Sequence, residues 1–119
     1  MRIIRADENP PRAITDWHSR GVHMWGISGF ADNAGARVTV GRYDAGSVLG
    51  RHPTGSWQAF AVVDGSGWVE GSSGERAQVA AGDLVVWEPA EDHASGSDAG
   101  MLVSIVQTTC DPASGPLRG

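Results

Sequence analysis

The sequence has no lysine, a single cysteine and no long apolar run. Its nine basic residues are all arginines, and fourteen acidic residues outnumber them, which gives a formal net charge of -5. A nucleic-acid partner is not expected, because no basic cluster is present to displace the counterions of a phosphate backbone. A membrane span needs roughly 20 consecutive apolar residues. No membrane partner is expected either.

The lone cysteine, Cys110, excludes an intramolecular disulfide. A single thiol is typical of a reducing compartment. The N-terminus has no apolar segment of the signal-peptide type. These features together predict a cytoplasmic protein.

Strand-forming and turn-forming residues are abundant. The chain has 17 glycines, 6 prolines and 5 tryptophans in 119 residues. Glycine and proline at short intervals, with valine and aromatic residues between them, favour strands and turns over long helices. The length suits one domain. We therefore expect a single all-β domain.

Turn signals recur about every ten residues, as in small barrels and sandwiches. The segments between them predict strands at 22–30, 37–43, 47–52, 57–63, 68–70, 77–79, 84–87 and 101–108. Breaks are expected at 44–46 and 64–67, and a hairpin turn at 31–35. The expected organisation is a short irregular or helical arm (1–21), a barrel (22–109) and a loose tail (110–119).

Two histidine-containing segments have regular spacing. In the first, Gly46 is followed by His52, Thr54, Gln58 and Gly65 at intervals of five, one, three and six intervening residues. In the second, Gly82 is followed by Glu88, Ala90, His93 and Ser97 at intervals of five, one, two and three.

These two segments resemble the two sequence motifs of the cupins. The resemblance covers about residues 46–97 and implies a single-domain jelly-roll β-barrel with His52 and His93 inside it. In the family, three histidines and a glutamate hold a divalent metal ion. Here Thr54 stands where the second histidine belongs and Gln58 where the glutamate belongs.

The resemblance implies a reduced metal site made of His52, Gln58 and His93. Two imidazoles and an amide oxygen supply no negative charge, so we expect weak binding of a divalent transition metal: zinc, nickel, iron, manganese or copper. Strand alternation would place Val48, Gln58, Phe60 and Val62 on the same inner face as His52.

A small-molecule pocket is also expected inside the barrel. Its candidate lining residues are Thr54, Trp57, Phe60 and Trp68. Three functions stay open at this point: a small-molecule enzyme that uses a metal or the histidines themselves, a metal-free ligand-binding or sensing module, and a non-catalytic dimeric scaffold. Similar small cupins pair as homodimers, and the apolar arm near Trp17 needs a surface to cover.

Other ionisable residues have simpler interpretations. His18 and His23 lie outside both motifs and are expected at the surface or a subunit contact, with His23 at the barrel mouth as the alternative. Glu88, Glu91 and Asp92 are expected to form a solvated acidic turn, with attraction of a cationic ligand or proton acceptance as the alternative.

Overall fold

A computed structural model of the chain describes residues 1–28 and 35–117. The predicted hairpin turn at 31–35 lies largely outside these ranges. The strands are β1 (Arg12–Ala13), β2 (Arg20–Gly26), β3 (Ala36–Pro53), β4 (Trp57–Glu70), β5 (Arg76–Ala80), β6 (Leu84–Trp87), β7 (Asp92–Ser97) and β8 (Met101–Thr108), and single 3-10 turns span Ala6–Glu8 and Asp16–His18. The all-β prediction is confirmed. No helix in the described part is long and apolar enough to cross a bilayer.

The two longest strands, β3 and β4, close the barrel by changing partners midway. The first half of β3 pairs with β2 and β8, and its second half pairs with β7. The first half of β4 pairs with β8 and β6, and its second half pairs with β5 and β7. Antiparallel pairing therefore runs in a ring from β3 to β7, β4, β8 and back to β3. Closure of this kind protects strand edges from further pairing.

The predicted strand breaks at 44–46 and 64–67 are wrong. Both segments are corners within continuous strands, at Gly46 (φ 75°) and Gly65 (φ 79°). Positive φ is available to glycine at little cost, so the chain bends from one sheet into the other without ending the strand. A Cβ at position 65 would also lie 2.3 Å from the carbonyl oxygen of Gly100. Strands β1 and β7 were not predicted as separate elements.

The interior is arranged in cross-strand rows over β3, β8 and β4. Each row crosses the three strands. In order from one end of the barrel, the first three rows are Arg37–Gln107–Gln58, Thr39–Ile105–Phe60 and Gly41–Val103–Val62. A fourth joins Tyr43, Met101 and Gly65. The rows change from polar to apolar along the strands. One end of the barrel is consequently a packed core and the other is a polar mouth.

Candidate functional site

A cavity of about 190 Å³ lies at the polar end of the barrel. It contains the three predicted metal ligands, His52, Gln58 and His93. The other lining residues are Arg12, Ile14, Trp17, Met24, Arg37, Thr39, Leu49, Ile105 and Gln107. Ligand sites of drug-sized molecules are usually about 300 to 1,000 Å³. The size of this cavity suits a smaller molecule.

The two motif histidines lie side by side in the cavity wall. His52 on β3 is the cross-strand partner of His93 on β7. Their ring centroids are 4.3 Å apart, with the rings at 63°. His93 also stacks on Trp87, at 4.3 Å and 18°. His52 and His93, forty-one positions apart in the sequence, are thus brought together by strand pairing, and their rings are held by packing.

Hydrogen bonds determine which nitrogen of each neutral ring carries the proton. His52 Nδ1 lies 2.6 Å from the carbonyl oxygen of Gly50, which can only accept. Thr54 Oγ1 donates its one proton to the carbonyl oxygen of Glu91 at 2.7 Å, so it accepts from His93 Nδ1 at 2.5 Å. Both rings therefore carry the proton on Nδ1. Each Nε2 keeps a lone pair for a proton, a hydrogen-bond donor or a metal ion.

Burial keeps His93 neutral at physiological pH. Only 2% of the residue is exposed. Burial, with a smaller contribution from neighbouring His52, lowers the pKa of His93 to about 4, while the backbone and side chain of Glu91 and the Asp92 carboxylate act in the opposite direction. Desolvation disfavours the charged imidazolium. At neutral pH, His93 is thus a neutral hydrogen-bond acceptor.

The prediction that Val48 shares the inner face with His52 is wrong. The pairing of β3 with β7 shifts register between Leu49 and His52. Leu49 is buried and lines the cavity, whereas Val48 is only partly buried. A β-bulge inserts an extra residue and so changes which side chains face inward. Simple alternation from His52 backwards therefore selects the wrong face.

Gln58 belongs to a polar row that sequence reasoning did not find. Arg37 pairs with Gln107, and Gln107 pairs with Gln58, on three adjacent strands. All three line the cavity. Gln107 Nε2 lies 3.5 Å from Gln58 Oε1, a long contact that directs the Gln58 oxygen towards Gln107. This row presents mainly N–H donors to a ligand.

Of the predicted pocket residues, Thr54 does not line the cavity but forms a hydrogen bond with His93 Nδ1. The three aromatic residues do not line the histidine cavity as the structure describes it. Phe60 is buried in the core between Tyr43 and Trp87. Trp68 is buried on the second half of β4 with the Arg76 guanidinium 3.6 Å from its ring centroid, and Trp57 lies at the start of β4, opposite Thr108. Trp57 precedes Gln58 on β4, so strand alternation turns its side chain to the other face, and Trp68 lies on the far half of the same strand.

Trp17, in the N-terminal arm, lines the cavity in place of the three predicted aromatic residues. Its ring stacks on His52 at 4.1 Å and 14° while the residue stays 48% exposed. Trp17 and His18 both have φ of 57°, a conformation that costs non-glycine residues free energy. A Cβ on Gly50 would lie 1.7 Å from the Trp17 carbonyl oxygen. Glycine at position 50 thus allows the arm to cover the histidine pair.

The remaining candidate ionisable groups lie outside the cavity. His18 is exposed, and His23 Nε2 lies 3.1 Å from Asp44 Oδ2 and does not line the cavity. The Glu91 carboxylate accepts from the backbone N–H groups of Glu88 and Ser72, at 3.0 and 3.3 Å. This carboxylate connects two loops.

The donor set fits a tightly bound metal ion poorly. Within residues 1–28 and 35–117, no three His, Cys, Asp or Glu side chains converge in a way that could hold a metal. The cavity offers two neutral nitrogens and an amide oxygen directed at Gln107. Arg12 and Arg37 line the same space, and their positive charges oppose a dication.

Solved structures share this architecture. A predicted oxalate decarboxylase from Thermotoga maritima aligns with a TM-score of 0.75 at 22% identity, over 92% of this chain and 100% of that one. An RmlC-like cupin from Shewanella frigidimarina gives 0.72 at 18%, over 95% of each chain. The polyketide cyclase RemF from Streptomyces resistomycificus gives 0.75 at 15%, over 100% of this chain and 84% of that one.

The chain has the fold of a small single-domain cupin, as the two motifs predicted. No family profile and no curated protein matches the sequence. At these identities the similarity defines the fold, and activity must be argued from the site.

Proposed function

We propose that this protein binds a small organic molecule in the histidine cavity, without needing a resident metal. The observation that carries the proposal is that His52 and His93 share one tautomer, with the proton on Nδ1. Each Nδ1 is held by an oxygen atom, which leaves a lone pair on each Nε2, and both residues line a cavity of about 190 Å³. Convergent polar groups in a largely preformed concave site are typical of ligand binding.

The chemistry available to a bound molecule follows from the same two rings. A hydroxyl, enol or amine of the ligand can donate to Nε2 of His93, whose pKa of about 4 keeps it unprotonated at neutral pH. Trp17 and Trp87 stack on the two imidazoles and restrict their orientation. Fixed acceptors of this kind position a ligand by accepting hydrogen bonds from it. The neighbours include a protein described as a decarboxylase and one described as a cyclase, which is compatible with small-molecule chemistry in this fold.

Ligand titration tests the proposal. The probes are small carboxylic acids and their amides, followed by NMR of the histidine rings in protein purified without chelator. We expect saturable shifts of the His52 and His93 signals in the wild-type protein. His52→Ala and His93→Ala should each abolish binding while leaving the fold largely intact. Binding that persists in both variants would contradict the proposal.

Metal binding by His52, Gln58 and His93 remains a prediction, and one observation favours it: Nδ1–H groups held by oxygen atoms are the usual arrangement behind metal-bound histidines. Metal analysis by mass spectrometry of the native protein separates the two candidates. We expect well under one equivalent of transition metal per chain. A stoichiometric amount would contradict the metal-free proposal.

Homodimer formation also remains a prediction. The arm exposes large apolar side chains, Ile3 at 53% and Ile4 at 57%. Exposed apolar groups on one segment favour burial against a second surface. Sedimentation equilibrium of the wild-type protein and an Ile3→Ser/Ile4→Ser variant tests this, and a monomeric wild type would contradict it.

A further inference from the structure

The histidine cavity differs in charge from the rest of the molecule. The chain carries fourteen acidic residues and a net charge of -5. Among the described residues, however, the cavity is lined by two arginines, Arg12 and Arg37, and by no aspartate or glutamate. A cavity of one charge sign on a protein of the other sign attracts ligands selectively. Here the attraction is for anions.

Both arginines lie at the mouth. Arg12 on β1 and Arg37 on β3 line the histidine cavity and also an adjoining outer hollow of about 410 Å³. Each residue is exposed overall, so both guanidinium groups are accessible to a ligand from solvent. Arg37 also begins the polar row that continues through Gln107 and Gln58. That row extends donors from the mouth into the interior.

The ion pairs that the described residues form lie elsewhere. Glu70 pairs with Arg51 and Arg76, and Asp44 pairs with Arg42 and His23. In residues 1–28 and 35–117, neither cavity arginine has a carboxylate within ion-pair distance. Two like charges at one mouth repel each other, and a bound anion relieves this repulsion.

We propose that the cavity takes the anion of a small carboxylic acid, with the carboxylate held by Arg12 and Arg37 and the organic part directed towards His52 and His93. This inference rests on the proposed function and specifies its ligand class. Guanidinium groups match carboxylates in a planar, two-bond geometry that an ammonium group does not provide. The cavity volume of about 190 Å³ limits the ligand to a few carbon atoms or one small ring.

Matched pairs of probes separate charge from shape. Glycolate, lactate, malate and mandelate, whose hydroxyl groups can donate to Nε2, are each compared with the neutral amide of the same acid, by calorimetry and by histidine NMR. Charge-assisted hydrogen bonds are worth about 1.5 to 3 kcal/mol, or about 10- to 150-fold in affinity. We expect at least one acid to bind about tenfold more tightly than its amide, and this preference to weaken in 0.5 M salt.

Charge-matched variants test the assignment to the two arginines. Arg37→Gln and Arg12→Gln should each reduce acid affinity about tenfold and leave amide affinity unchanged. Arg42→Gln is the control, because it removes the same charge from an exposed position on β3 that does not line the cavity. Its acid affinity should match that of the wild type within about twofold.

The outcomes distinguish this inference from the proposed function. Equal affinity for acids and amides, or a preference unchanged by both cavity variants, would overturn the anion inference and leave ligand binding in place. If neither acids nor amides moved the signals of His52 and His93, the proposed function and the anion inference would both be contradicted.

Discussion

The two ends of the barrel interior are built on the same three strands but serve different purposes. At the packed end, Phe60, Val62 and Val103 are at most 3% exposed and form part of one apolar cluster. At the mouth, the same strands present Arg37, Gln107 and Gln58. Burial of apolar area stabilises the fold at the first end. The second end has little such burial and is therefore available for binding.

Truncating a buried side chain at the packed end should cause the largest loss of stability. Phe60→Ala should lower the free energy of unfolding by about 3 to 5 kcal/mol, because it removes a buried ring and leaves a cavity. Gln107→Ala, in the polar row, should cost less than about 1 kcal/mol. Urea denaturation followed by tryptophan fluorescence measures both, with Phe60→Leu as a milder variant if the first does not fold. Similar losses at the two ends would contradict the distinction.

Acid should destabilise the mouth through His93. Because the pKa of His93 is lowered to about 4 in the folded protein, the unfolded chain binds a proton on this residue at higher pH than the folded chain. Stability should therefore fall as the pH decreases from about 6.5 to 4, by up to about 3 kcal/mol from this group. Unfolding across this range is compared with His93→Gln, which should show a smaller slope. Equal slopes would show that His93 titrates normally when folded.

The contact between the arm and the mouth can be disrupted from a single position. Gly50→Ala places a Cβ 1.7 Å from the Trp17 carbonyl oxygen, so the arm must move. We expect a loss of about 1 to 3 kcal/mol, as for other overpacked sites, together with loss of the ring-current shift on His52. Gly55→Ala is the control, because nothing lies within 4 Å of a Cβ there. An unchanged His52 spectrum in Gly50→Ala would contradict the stacked arrangement.

A carboxylate added at the mouth should give this end, and not the packed end, a better metal site. Gln58→Glu should raise zinc affinity by about tenfold or more, since it adds an anionic donor beside two imidazoles. Calorimetry with zinc measures the change. The gain should disappear in Gln58→Glu/His93→Ala if the new carboxylate acts together with the histidines. No gain in the single variant would show that residue 58 faces a different point.

The fold and the histidine pair could be predicted from the sequence, but the corners and the inner face of β3 could not. Apolar strands separated by turn residues predicted an all-β domain, and the resemblance to the cupin motifs implied that His52 and His93 would lie inside one barrel. Glycines at the two corners were interpreted as strand breaks, because the local sequence of a bend resembles that of a turn. The inner side of β3 could not be obtained by alternation alone, since the bulge between Leu49 and His52 changes the phase.

The polar mouth was the least predictable part. On β3, Val38 and Val40 form the apolar face of the alternation, whereas Arg37 and Thr39 line the cavity. Polarity indicates the buried face only where that face is packed, and a barrel mouth is solvated. Arg12 enters the site through the pairing of β1 with β2. No local sequence signal indicates that contact.

The protonation of the two cavity imidazoles tests the central claim most directly. Long-range proton–nitrogen NMR of the wild-type protein at pH 8 distinguishes a ring that carries its proton on Nδ1 from one that carries it on Nε2. The account predicts Nδ1–H and a bare Nε2 for both His52 and His93. A proton on Nε2 of either ring would contradict it, because that nitrogen could no longer accept a bond from a ligand.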